Sequence, residues 1–162
     1  MEYLIGNEEG GTKTVSLVGI INEDAPFVFQ KLEEELAEAS HVAFLFSQVR
    51  SINSLGVRAW VSFLRGLEER VSVSFRECTP DVIMQINMIP NFQGKAQIES
   101  FYVNYFCDVC GYKVQKLMSG GSLPVPPACP QKHTPQPEGG LQTEELEEEY
   151  FAFLTRQSGN EG

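Results

Sequence analysis

The chain has 162 residues, 42% of them hydrophobic, so it is long enough to bury the core of one ordinary domain and to carry a small extension. Its formal net charge of −10 argues against a protein that coats nucleic acid, because such proteins carry clustered basic residues. No apolar run approaches the ~20 residues that span a bilayer. The first residues lack a basic segment followed by a long apolar stretch, so we expect a soluble, cytoplasmic protein without a signal peptide.

The charge is distributed unevenly along the chain. Residues 1–94 and 136–162 each carry −6, whereas residues 95–135 carry +2 and hold three of the four cysteines. Such a change of composition marks a change of architecture. The predicted organisation is a domain over 1–104, a small segment over 105–135, an acidic amphipathic helix over 141–156 and a disordered tail over 157–162.

The first part of the chain alternates strand and helix patterns. Apolar runs at residues 3–5 and 14–21 flank a turn with two glycines, which predicts a β-hairpin. Asp24 and the proline two residues later predict the start of a helix that combines an apolar stripe with solvent-facing glutamates. The nearly all-apolar run at 41–46 predicts a strand buried on both of its faces.

Two further helices and two further strands follow. The second helix begins with Asn53 or Ser54 as its N-cap. Its predicted buried stripe comprises Val57, Trp60, Val61 and Leu64. Alternation at 71–75 predicts a strand, Thr79 before a proline predicts the start of a third helix, and residues 98–106 predict a last strand. The order β-β-α-β-α-β-α-β predicts an α/β fold, an open sheet with helices packed on it.

Residues 1 to about 95 resemble a STAS domain, the fold of bacterial anti-sigma-factor antagonists. Residues 15–22 are similar to the opening strand of that family, and residues 49–57 stand where the family carries its signature, roughly V-x-x-x-D-S-S-G-L. Residues 75–82 fit the strand, turn and helix that come later in the family. The resemblance implies a STAS-like mixed sheet and a regulatory protein that binds an anti-sigma factor or a histidine-kinase-like regulator.

In that family the second serine of the signature accepts a phosphate that switches partner binding. Asn53 stands for the aspartate of the signature, Ser54 for its first serine and Leu55 for the phosphoacceptor. Because leucine cannot be phosphorylated, the resemblance implies a chain without the usual phosphoswitch. Ser54 is then either an alternative acceptor or simply the helix cap.

The start of the second helix offers free N–H groups and a partial positive charge, which attract an anion or a carboxylate-rich partner. Arg58 and Arg65 extend this positive character along one face. The predicted partner-binding residues are Asn53, Ser54, Gly56, Arg58, Ser62 and Arg65. The alternative is a solvated helix face that carries an Arg65–Glu69 ion pair.

Three cysteines and a histidine predict a metal site. Cys107 and Cys110 form a C-x₂-C turn followed by glycine, and Cys129 and His133 form C-x₃-H after a gap of eighteen residues. These four predict a closed Cys₃His site for structural Zn²⁺ in a zinc-ribbon-like segment, with no position left for a catalytic water. Cys78 is the reserve fourth ligand, and a redox pair or metal-free buried thiols are the alternatives.

No enzyme constellation is recognisable, because neither a glycine-rich phosphate loop nor a nucleophile–base pair stands out. We therefore expect a non-catalytic bacterial regulatory or signalling protein that acts through protein–protein interaction. A zinc-ribbon nucleic-acid-associated factor that uses the STAS-like part as a dimerising scaffold is the runner-up. The middle segment has too few lysines for strong phosphate binding, so neither nucleic acid nor a membrane is the expected partner, and a homodimer is left open.

Overall fold

The computed structural model describes the backbone of residues 1–159 and the side chains of residues 1–156. Its elements, in chain order, are β1 (Glu2–Asn7), a 3₁₀ turn (Glu9–Gly11), β2 (Thr12–Ile21), α1 (Ala25–Glu35), β3 (His41–Ile52), α2 (Ser54–Glu68), β4 (Ser72–Arg76), α3 (Pro80–Met88), β5 (Gln97–Ile98), β6 (Ser100–Phe106), β7 (Lys113–Ser119), β8 (Gln142–Thr143), α4 (Glu147–Tyr150) and α5 (Ala152–Gly159). None of the described helices is long and apolar enough to cross a bilayer.

The first five strands form one mixed sheet in the order β1-β2-β3-β4-β5. β1 runs antiparallel to β2, as expected for a hairpin, and β2 through β5 are parallel. Each parallel pair is joined by one of the helices α1, α2 and α3, because parallel strands need a crossover connection. The predicted α/β fold, a mixed sheet with helices packed on it, is confirmed.

The core of this sheet centres on Trp60 of α2. The indole ring is fully buried. Its centroid lies 5.1 Å from the ring centroid of Phe44 and 5.6 Å from that of Phe46, both on β3. Its N–H donates to the carbonyl oxygen of Phe92 at 2.9 Å, so the one polar atom of the side chain is paired. The aromatic cluster fixes α2 against the central strand and therefore fixes the direction of the exposed face of α2.

The buried stripe of α2 is rotated relative to the prediction. Val57 and Val61 are only half-buried. The buried residues of the helix are Gly56, Trp60, Phe63, Leu64 and Leu67. The stripe turns towards Phe63 because that ring stacks on Phe29 of α1 at a centroid distance of 4.6 Å.

The strand predicted over 98–106 is two strands that belong to different sheets. β5 completes the first sheet, whereas β6 pairs with β7 and β8 in a second, antiparallel sheet of order β7-β6-β8. The chain reverses directly after β6, so β7 is its nearest partner. An isolated bridge from Cys78 to Phe101 still joins β6 to the first sheet, so the core is continuous. The domain boundaries drawn from composition stay a prediction.

The segment predicted as one acidic helix over 141–156 contains β8, α4 and α5. A single helix does not form because residues 142–143 pair with β6. Phe151, between the two helices, and Phe153 turn inward onto Phe101, at centroid distances of 6.2 Å and 5.0 Å. Of the predicted disordered tail, the backbone of residues 157–159 continues α5, and residues 160–162 lie outside the described residues.

Candidate functional site

The four predicted metal ligands come together at the end of the second sheet. Cys107 and Cys110 lie in the turn that joins β6 to β7, and Cys129 and His133 lie in the irregular segment between β7 and β8. All four ligand atoms lie within 4.8 Å of one another, and the cluster is able to hold a metal ion. Cys107 and Cys129 are buried, His133 is half-buried and Cys110 is exposed, so the cluster opens to solvent on one side.

Backbone hydrogen bonds shape the first turn. The N–H of Cys107 donates to the carbonyl of Tyr112 at 2.8 Å, and the N–H of Gly111 donates to the carbonyl of Cys107 at 2.9 Å. Gly111 has a φ of +77°, which a glycine adopts without strain. The turn therefore holds both sulfurs on one side, as the C-x₂-C-G pattern predicts.

The contacts of His133 select one ring nitrogen as the ligand. Its Nδ1 lies 2.9 Å from the carbonyl oxygen of Pro135, which only accepts, so Nδ1 carries the proton. The lone pair of the neutral ring is then on Nε2, which lies 3.5 Å from Sγ of Cys107. A carbonyl partner on the second ring nitrogen is the usual way in which a metal-bound histidine is oriented.

The cysteine sulfurs of the cluster have divergent proton affinities. Burial opposes ionisation of Cys107, but N–H groups of Cys110 and Val109, together with the neighbouring thiols, outweigh it and lower its pKa to about 7. Burial raises the pKa of Cys129 to about 11, and the sulfurs of Cys110 and Cys107 contribute to this rise. The thiolate of Cys107 therefore forms readily, whereas ionising Cys129 is favoured by a cation bound beside it.

One of the alternatives for the cysteines does not fit these positions. All four cysteines are free thiols, as both a metal site and a reduced redox pair require. Cys78 does not belong to the cluster: it is fully buried two residues after β4, at an isolated bridge to Phe101 of β6. His133, and not Cys78, is therefore the fourth member of the group.

The predicted partner-binding residues lie at the start of α2 with different exposures. Asn53 is the N-cap, since its Oδ1 accepts from the N–H of Gly56 at 2.8 Å, and Ser54 is the first helical residue. The interpretation of Ser54 as the cap is therefore wrong, because the asparagine oxygen occupies the capping position. Gly56 is buried against the carbonyl of Ile21 and has no surface to offer. Both serines and both arginines of the predicted set are exposed.

A groove of about 440 Å³ runs between α1 and α2 beside this face. Its lining includes the stacked rings of Phe29 and Phe63, together with Arg58, Glu23 and Glu33. Neither Arg58 nor Arg65 forms an ion pair within 4.0 Å among residues 1–156. The Arg65–Glu69 pair of the alternative interpretation does not form.

The basic residues of the second sheet are partly neutralised. Nζ of Lys113 lies 3.5 Å from a carboxylate oxygen of Glu144, which is placed there by the return of the chain through β8. The positive patch that a nucleic-acid-binding ribbon needs is thus weakened by the acidic C-terminal segment.

A histidine on β3 lies between two serines of β4, an arrangement that the sequence pattern does not indicate. Nδ1 of His41 lies 2.6 Å from Oγ of Ser72, and its Nε2 lies 2.9 Å from Oγ of Ser74. The S-V-S alternation places both serines on one face of β4, but only the strand register brings His41 opposite Ser72. The three residues lie in a cleft of about 650 Å³ on the sheet face opposite to Trp60.

Comparison with known proteins assigns the chain to no family. No family model matches it, and no curated protein matches it in sequence. Among solved structures, the chain is similar to the anti-sigma factor antagonist SpoIIAA in its unphosphorylated form, at 15% sequence identity. The match covers 60% of this chain and 86% of that chain, with a TM-score of 0.43. A similarity at this level is too low to assign a function.

Proposed function

We propose that the chain is a bacterial regulatory or signalling protein that binds a protein partner through the exposed face of α2. The observation that carries this proposal is the groove beside Arg58, in which an apolar aromatic floor is combined with an arginine that has no ion-pair partner within the described side chains. Aromatic residues and arginine are enriched where proteins bind one another. The surface needs no catalysis to act.

The partner suited to this surface carries an apolar side chain next to a carboxylate. The apolar group packs over the stacked rings of Phe29 and Phe63 without separating them, while the carboxylate pairs with Arg58. Following the STAS resemblance, we propose an anti-sigma factor or a histidine-kinase-like regulator as the partner class. Leu55 is exposed beside Ser54, so the surface presents an apolar side chain where the family carries its phosphoacceptor.

We further propose that the four-residue cluster is a structural zinc site in a zinc-ribbon-like segment. Tetrahedral zinc, with Zn–S of about 2.3 Å and Zn–N of about 2.0–2.1 Å, separates two sulfurs by about 3.8 Å and a sulfur from a nitrogen by about 3.5 Å. The cluster has 3.7 Å between Cys110 and Cys129 and 3.5 Å between Cys107 and His133. Four protein ligands close the coordination shell, which is typical of a structural site.

Metal content tests the zinc proposal. The full chain, expressed with zinc and dialysed, should hold one zinc per chain by elemental analysis. Cys110→Ser should lose the metal, because an exposed ligand is removed without disturbing the core. Cys78→Ala is the matched control and should keep the metal at lower stability, since its thiol is buried elsewhere. A metal-free wild-type chain, or equal metal loss in both variants, would contradict the proposal.

Partner capture tests the protein-binding proposal. Arg58→Glu should abolish the recovery of one or more host proteins, because it repels the proposed carboxylate. Lys116→Glu makes the same charge change at an exposed site on β7 and should leave recovery unchanged. Binding of each recovered protein, purified, is then measured against both variants. Equal losses of binding in the two variants, or no loss in either, would contradict the proposed partner-binding surface.

A further inference from the structure

His41 is the first residue of β3, and it stands directly opposite Ser72, the first residue of β4. Ser74 lies two residues further along the same strand and therefore on the same face. The imidazole ring spans the two hydroxyls, and each ring nitrogen is within hydrogen-bond distance of one of them. Ser72 is exposed, whereas Ser74 is 1% exposed, so only the first hydroxyl is accessible from solvent.

A neutral imidazole has one N–H donor and one acceptor nitrogen, so one serine donates to it and the other accepts from it. The tautomer with its proton on Nε2 donates to Ser74 at 2.9 Å and leaves Nδ1 to accept from the hydroxyl of Ser72 at 2.6 Å. In this tautomer His41 is placed to take the proton of Ser72.

The surrounding cleft of about 650 Å³ has room for a small substrate. Its two carboxylates are engaged elsewhere, because Glu99 pairs with Arg76 at 2.6 Å and Glu68 accepts the N–H of Lys95 at 2.7 Å. The ammonium of Lys95 lines the cleft and interacts with the carboxylate of Glu68. The cleft thus offers a hydroxyl and a base, the pair that forms an acyl-serine in acyl transfer.

We propose that Ser72 is a nucleophilic serine, activated by His41, that accepts the acyl group of a small ester. Its Oγ attacks the ester carbonyl while its proton passes to Nδ1 of His41. The bond between the carbonyl carbon and the leaving oxygen then breaks, and the leaving alcohol takes that proton. Water releases the acid from the acyl-serine by the same route and restores the Ser72 proton. Ser74 is a positioning residue that holds Nε2–H away from the nucleophile.

This site is separate from the proposed partner surface, since it lies on the opposite face of the sheet, and a failure of either leaves the other standing. The test uses the full metal-loaded chain and p-nitrophenyl acetate, followed by peptide mapping of acetylated residues. Ser62, exposed on α2, is the internal reference serine. We expect acetylation of Ser72 at a rate about 100-fold or more above that of Ser62, the lower bound of general-base assistance.

Four variants locate the cause of that rate. Ser72→Ala should remove the label, and His41→Gln should bring Ser72 to the rate of Ser62, with unchanged thermal midpoints as the control for folding. Ser74→Ala should slow acetylation, whereas Ser74→Thr, which keeps the hydroxyl, should restore it. Equal rates at Ser72 and Ser62 in the wild type would overturn the proposal, and that comparison needs no variant. A folded His41→Gln protein that still labels at the wild-type rate would also overturn it.

Discussion

Replacing Gly56 with alanine tests how closely α2 approaches the end of β2. A Cβ at this position would lie 2.1 Å from the carbonyl oxygen of Ile21 and 2.5 Å from its carbonyl carbon. Real Cβ contacts essentially never fall below 3.0 Å, so the two backbones must separate by about 0.9 Å. The same carbonyl accepts the N–H of Asn53 at 3.1 Å, and this bond lengthens as the helix moves.

The expected loss of stability is about 2 kcal/mol. Overpacking costs about 1–3 kcal/mol, and a strained backbone hydrogen bond costs about 1 kcal/mol. The higher helix propensity of alanine stabilises the variant by about 1 kcal/mol and offsets part of this loss. Gly66 is the matched control on the same helix, because a Cβ there meets only Oε1 of Glu33 at 3.9 Å. Gly66→Ala should therefore stabilise the protein by about 1 kcal/mol.

The measurement is urea unfolding of the full chain at equilibrium, followed by tryptophan fluorescence, since Trp60 is the single tryptophan and lies in the core. Gly56→Ala should unfold at a lower urea concentration than the wild type, and Gly66→Ala at a higher one. The reasoning is refuted if Gly56→Ala is as stable as the wild type, because the backbone contact would then not constrain the helix.

Two substitutions and one labelling experiment test other contacts. Asn53→Ala removes the cap from α2 and should cost about 1 kcal/mol in urea unfolding, and a stability equal to that of the wild type would show that the cap is dispensable. Burial raises the pKa of the Cys78 thiol well above its ordinary value, so iodoacetamide should modify Cys110 but not Cys78 in the folded, chelator-treated protein, as read by mass spectrometry. Modification of both at one rate would contradict that burial. Burial also raises the pKa of Glu68, so its contribution to stability is fully present below its ordinary pKa and is lost as the pH rises through the folded pKa. Glu68→Gln should therefore become more stable relative to the wild type as the pH rises from about 4 to about 7. A difference in unfolding free energy that does not change with pH would contradict this expectation.

Strands β1 to β4 and the helices that connect them were predictable because each has a local cause. The turn of Asn7 to Gly11, the proline that starts α1 and the Thr79-Pro80 start of α3 all act within a few residues. β7 escaped prediction because it is an edge strand whose side chains are mostly exposed, so its hydrophobic pattern is weak. The break between α4 and α5 at Phe151 was not predicted, because it depends on a contact with Phe101, fifty residues earlier.

The four-residue cluster was predictable from spacing, because the turn geometry that brings two cysteine sulfurs together is encoded within four residues. Gly56 was misplaced in the partner surface because its burial depends on Ile21 of another strand. The pairing of His41 with Ser72 was beyond the sequence for the same reason, since a register between two parallel strands has no local signal.

The position of Phe151 and Phe153 on Phe101 has a consequence for the order in which the chain is made. β6 leaves the ribosome about 45 residues before Phe151 and Phe153, the two rings that pack on its Phe101. This is a delay of about 2–9 s at usual rates of synthesis. Cys107 and Cys110 likewise emerge before the other two residues of their cluster. The nascent chain thus presents an apolar strand beside an incomplete cysteine cluster, and a chaperone that recognises such strands has those seconds in which to bind it.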